Sequence, residues 1–173
     1  MKQSKPRAQK PKPGLSHVDR AGRIRMVDVG DKPETAREAV AQGRIQVGAA
    51  ALRAIRAGTV KKGDPLQTAR LAGIVAAKRT SDLIPLCHPL ALSHVDVEIT
   101  REEHGYFIES RVRTTGRTGV EMEALTAVAV TALTIYDMLK ALDKTMVIGD
   151  ICVREKRGGR SGEYSRKATV GSR

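Results

Sequence analysis

Apolar and polar positions alternate with a period of two in HVDVEIT (94–100) and, after EEHG, again in YFIESRVRT (106–114). That pattern predicts a hairpin with one buried face. The stretch from Thr35 to Val47 mixes β-branched and polar residues ahead of Gly48, which suits a strand reaching about Gln46. Met26 to Asp28 reads as extended, and MVIGDICVRE (146–155) as a closing strand. Between these lie helical segments. AAALRAIRAG (49–58) has strong helix formers with Gly58 as its stop, and QTARLAGIVAAKRT (67–80) is opened by Asp64 and Pro65. From about Gly119 to Leu142 the chain is rich in Ala, Leu, Val and Met and apolar on most of a helical circumference, as for a helix buried on several sides. The order β, αα, β, β, α, β predicts an α+β fold: a ferredoxin-like split βαβ with an antiparallel sheet and helices on one face.

Length adds that 173 residues suit one domain able to bury its own core without disulfides or a structural metal. Cys87 and Cys152 form no CxxC and are too few for a disulfide framework, so a reducing cytosol is expected. No apolar run approaches the roughly 20 residues of a bilayer span, and the basic start lacks the apolar segment of a signal peptide, so no membrane partner is expected. The formal charge of +12 is concentrated at one end, because residues 1–25 hold eight Lys or Arg against the single acid Asp19. With so few large apolar residues, residues 1–15 are expected to form a disordered basic tail, residues 16–164 the domain, and residues 165–173 a second flexible tail. A sheet that stacks nucleic-acid bases needs aromatic side chains, and the chain has no Trp and one Phe. Specific nucleic-acid binding is therefore not expected.

Four stretches carry polar residues that the hydrophobic pattern does not require. KKGDPLQTAR places Lys61 and Lys62 beside a turn glycine, where solvated lysines are commonplace. In DLIPLCHPL, His88 sits between Cys87 and Pro89, and the following proline restricts its backbone to extended geometry. A structural histidine fits equally, while an adjacent Cys-His without further ligands is a poor zinc signal. The long helix opens with Glu121 and Glu123, which its dipole favours, and ends near Asp137, which its dipole disfavours. Lys140 stands three residues further on, so a plain salt bridge and a partly buried acid-base couple both fit. Lastly, REKRGGRSG surrounds two glycines with Arg154, Lys156, Arg157 and Arg160, a composition able to cradle phosphate although it is not a P-loop.

Taken in order, MVDVGDKPETARE, KKGDPLQTARLAGIVAAKRTSDLIPLCHPL, TGRTGVEMEALTAVAVTALTIYDMLKALDKTMVIG and KRGGRSGEY closely resemble the cyclic pyranopterin monophosphate synthase family, MoaC. The resemblance runs from about Ser16 to Tyr164. It implies a catalytic aspartate at Asp137 with lysines at Lys62 and Lys140, and substrate contacts at Leu86, Cys87, His88, Met122 and Glu123. Glu121, Arg37 and Lys156 match further pocket positions. Arg160 stands where relatives carry lysine, and either cation can meet a phosphate, Arg as a fork and Lys as a point charge.

The implied reaction turns (8S)-3′,8-cyclo-7,8-dihydroguanosine 5′-triphosphate into cyclic pyranopterin monophosphate and pyrophosphate, without a cofactor, though Mg2+ can accompany the triphosphate. Such a rearrangement needs proton transfers at several heteroatoms and charge stabilisation on departing pyrophosphate. Lysines can supply both, and crowding by other cations would lower a lysine's proton affinity. The resemblance also implies a homohexamer built as a trimer of dimers. One unbroken helix would hold Glu123 and Asp137 about 21 Å apart, so sites shared between chains are expected.

Overall fold

The computed structural model describes residues 23–159 and 162–167. The expected tail at 1–15, most of that at 165–173, and Arg160 lie outside the described residues. Strand β1 (Thr35–Gln46) leads into helices α1 (Ala49–Arg56), α2 (Pro65–Ala77) and the short α3 (Thr80–Leu83). The hairpin β2 (Leu92–Glu102) and β3 (Gly105–Gly116) follows, then α4 (Glu121–Leu139), β4 (Val147–Arg157) and a two-residue β5 (Tyr164–Ser165). The sheet order is β2-β3-β1-β4-β5, and every pairing is antiparallel. β3 therefore lies between β1 and β2, which is the split βαβ arrangement expected from the order of elements. Met26 to Asp28, read as extended, belongs to no strand of the sheet. α3 and β5 were not anticipated.

Alternation along the strands decides which face meets the helices. Ala39, Ala41 and Ile45 of β1 join Ile108 and Val112 of β3 in a core completed by Ala124, Ala127, Val128, Ala132 and Ile135 of α4. On the other face, Glu38 draws Arg111 and Arg113 together, and Arg44 lies over the Phe107 ring at 5.1 Å. That face is laced with ion pairs rather than aromatic platforms. Helix α4 has a mean hydropathy of 1.4 over a span-like length, so the expectation that no segment approaches a bilayer span needs correction. Its apolar character is that of a core helix with residues buried along its whole length.

α2 and α4 run antiparallel and touch closely. Gly73 makes this possible: a Cβ there would stand 2.1 Å from Thr131 Oγ1 and 2.9 Å from the Ala127 carbonyl oxygen. No side chain fits at that crossing. The pairing aligns the start of α2 with the end of α4, and the end of α2 with the start of α4.

Candidate active site

At the first of these ends, Asp64 caps α2 by accepting from the Leu66 and Gln67 amides at 2.9 and 3.1 Å, with Pro65 at the first helical position. The cap fixes the preceding turn, so Lys62 reaches across to α4. Its Nζ donates to the Asp137 carbonyl at 2.9 Å and to Asp137 Oδ2 at 3.0 Å. Lys140 Nζ reaches Oδ1 of the same carboxylate at 2.7 Å. Lys140, then Lys62, hold the Asp137 carboxyl below the usual carboxylate range, and hydrogen bonding to Asp137 pushes Lys140 up. This corrects two expectations. The pair is not partly buried, because Asp137 and Lys140 side chains are 57% and 55% exposed in one chain, and Lys140 gains rather than loses proton affinity. The carboxylate beside it keeps Lys140 charged. The cluster carries net positive charge, with protons available for donation and cations available to phosphate.

The opposite end holds a cavity of about 760 Å3 whose walls include Leu86, Cys87, His88, Glu121, Met122 and Glu123. Glu123 lies in the first turn of α4 and is only 4% exposed, and among the described residues its Oε2 has no hydrogen-bond partner. Burial, reinforced by the neighbouring Glu121 charge, raises its pKa from 4.5 to about 7. Burial and the Glu123 charge push the Cys87 thiol up as well. His88 Nε2 lies 2.9 Å from the Val27 carbonyl oxygen, which marks this nitrogen as the protonated one. A ligand entering here meets an apolar slot with one unsatisfied acid at its base, suited to the polar edge of a heterocycle.

Because the folded Glu123 binds its proton more tightly than the unfolded chain does, its stabilising effect is present in full below about 4.5 and is lost as pH rises through about 7. Each unit is worth about 1.4 kcal/mol, so roughly 3 kcal/mol is at stake. Relative to wild type, Glu123→Gln should gain stability between pH 5 and pH 8 by up to that roughly 3 kcal/mol, measured by denaturation at fixed protein concentration. An equal difference at both pH values would show an ordinary carboxyl.

Residues 26–159 match the MoaC family. The chain belongs to the MoaC family. It is 61% identical over 155 residues to the cyclic pyranopterin monophosphate synthase of Heliobacterium modesticaldum, covering 88% of this chain and 98% of that protein. With the synthase of Chloroflexus aggregans it shares 60% identity over 158 residues, 90% of this chain and 96% of the relative. The synthase of Roseiflexus castenholzii is 58% identical over 151 residues, 86% and 96% of the two chains.

Of the residues that resemblance to the MoaC family singles out, Lys62, Asp137 and Lys140 come together at one end of the α2–α4 pair. Leu86, Cys87, His88, Glu121, Met122 and Glu123 come together at the other. Lys156 pairs with Glu121 at 3.1 Å, beside the larger cavity. Arg37 lines a smaller cavity of about 400 Å3 with Arg117 and Gly159, and this adjoins the larger one, since Lys32 and Thr118 wall both. Its Nε donates to the Gly116 carbonyl at 3.0 Å, and its guanidinium lies where a Cβ on Gly159 would stand. Val27, Val29 and Lys32 were not anticipated as cavity walls. Their only signal was membership of the matching word MVDVGDKPETARE.

Proposed function

We propose that the protein is a cyclic pyranopterin monophosphate synthase, a lyase of molybdenum cofactor biosynthesis that converts (8S)-3′,8-cyclo-7,8-dihydroguanosine 5′-triphosphate into cyclic pyranopterin monophosphate and pyrophosphate. The observation that carries this reading is the convergence of Lys62, Asp137 and Lys140 in a chain of the MoaC family. In net terms, a new P–O bond joins the α-phosphorus to a sugar oxygen while the bond to the bridging oxygen breaks and pyrophosphate leaves. Two ammonium groups offset the charge that develops on the departing oxygens. Asp137 orients both lysines, and a proton passes to the reacting heteroatoms from one of them. Glu123 and His88 orient the base and sugar in the cavity, with Lys156 and Arg160 directed to the phosphates. Side chains alone supply this chemistry, and any Mg2+ enters with the triphosphate. Cys87 and Cys152 are unpaired, which fits a reducing cytosol.

Helix α4 carries both clusters but separates them. Glu123 and Asp137 lie 14 residues apart on an uninterrupted helix, about 21 Å along its axis. A single nucleotide cannot easily contact both ends. One substrate is served by both if a second copy contributes the Lys62, Asp137 and Lys140 cluster to the cavity of the first. Leu71 and Val75 of α2 and Met122 and Leu133 of α4 stand exposed, giving apolar surface for such a two-fold contact. A trimer of these dimers gives the hexamer.

Incubating the purified protein with the cyclised nucleotide triphosphate should release pyrophosphate and cyclic pyranopterin monophosphate in equal amounts. Pyrophosphate without the pterin, or unchanged substrate, would refute the reading. Deleting Met1 to Pro13 should leave this turnover unchanged, since the deletion ends well before residue 26, where the family match begins. A large loss of activity in the truncated protein would assign that stretch a part in catalysis.

A further inference from the structure

Helix α1 begins without a cap of its own. Gly48 stands at the N-cap position with no side-chain oxygen, and the first turn contains no acid. The missing acceptor comes from far along the chain: Asp143 Oδ2 accepts the Gly48 amide at 2.7 Å, across 95 residues. The other oxygen, Oδ1, accepts the Thr145 amide at 2.8 Å and the Thr145 hydroxyl at 2.7 Å. All three donors converge on one carboxylate, which they hold below the usual carboxylate range, Thr145 first and Gly48 next. The approach depends on glycine, because a Cβ on Gly48 would stand 2.9 Å from Asp143 Oδ2.

Both segments that this carboxylate ties together lead to the catalytic cluster. Asp143 follows Lys140 by three residues, in a turn where the Leu142 and Asp143 amides both donate to the Leu139 carbonyl at 2.7 and 3.0 Å. On the other side, α1 runs into successive turns, with the Ala57 amide on Arg53, Thr59 on Ala54 and Gly63 on Val60, ending at Lys62. Asp143 therefore sits where the Lys140 arm and the start of the Lys62 arm are joined. We propose that Asp143 is a positioning residue, whose carboxylate locks the start of α1 to the turn after α4 and so holds Lys140 and Lys62 against Asp137. It touches no substrate and acts through the geometry of the two lysines. Misplacing a reacting group by about 1 Å can cost on the order of 100-fold in rate.

The inference rests on the synthase reading, so wild-type turnover is measured beside each variant. Asp143→Ala should lower kcat roughly 10- to 100-fold with KM changed by less than about twofold, while melting above the assay temperature. Two readouts separate positioning from mere loss of stability. With Lys140 no longer held on its carboxylate, Asp137 should titrate closer to an ordinary acid, moving the acid limb of the kcat–pH profile upward. In a Lys140→Ala background, adding Asp143→Ala should cost clearly less than it does in the wild type, because one of the two lysines it positions is already gone. If Asp143→Ala fails to fold, Asp143→Asn serves instead. It keeps one acceptor oxygen for Thr145 and sets an amide N–H against that of Gly48, with a smaller loss expected in the same pattern. Wild-type kcat in a folded Asp143 variant, or a loss fully additive with Lys140→Ala, would overturn the role of Asp143 and leave the synthase reading intact. Absence of product from the wild-type protein would overturn both.

Discussion

Asp137→Asn, Lys62→Ala and Lys140→Ala are each expected to lower product formation by roughly 10²–10⁴-fold while leaving the protein folded. The size follows from what each change removes. Asp137→Asn preserves shape but abolishes the anion that accepts from Lys62 at 3.0 Å and from Lys140 at 2.7 Å, so the lysines lose their orientation together. Either lysine truncation removes a proton donor and a cation that would face departing pyrophosphate. All three side chains are about half exposed, and exposed ion pairs contribute little to stability, so melting temperatures should move only slightly. Turnover and thermal denaturation on the same preparations check both halves of the statement. Losses below about tenfold in all three variants would sink the catalytic assignment.

Much of the fold was legible because its signals are local. Alternation in HVDVEIT and YFIESRVRT encodes the hairpin directly, and Asp64 with Pro65 announces the start of α2 through its own capping chemistry. The elements missed were those with too few residues to show a period. α3 spans four residues and β5 two, and β5 exists because β4 offers it an edge. The site was legible in part for the same reason. Asp137 and Lys140 are helical neighbours, so their pairing follows from spacing, whereas Lys62 reaches the carboxylate across 75 residues only because α2 packs on α4. Exposure of the pair was not legible, since whether a helix end is covered depends on what packs over it. Glu123 was masked by an ordinary explanation, a first-turn acid on a helix dipole. Its burial against the loop carrying Cys87 and His88 is tertiary, and that burial moves its proton affinity.

A site assembled from two chains makes the most demanding prediction. Glu123 and Asp137 sit at opposite ends of α4, and in the proposed two-fold dimer each site would take Glu123 from one chain and Asp137 from the other. Glu123→Gln and Asp137→Asn proteins should each be nearly inactive alone. When they are dissociated, mixed in equal amounts and reassociated, about half the dimers are mixed, and each mixed dimer has one site with both lesions and one with neither. The measurement that tests this account most directly is the turnover of the cyclised nucleotide triphosphate by that mixture, with subunit exchange verified by mass. Recovery to about a quarter of wild-type activity is the result expected of a shared site. No recovery above the separate variants, despite complete exchange, would mean that Glu123 and Asp137 act within one chain and would contradict it.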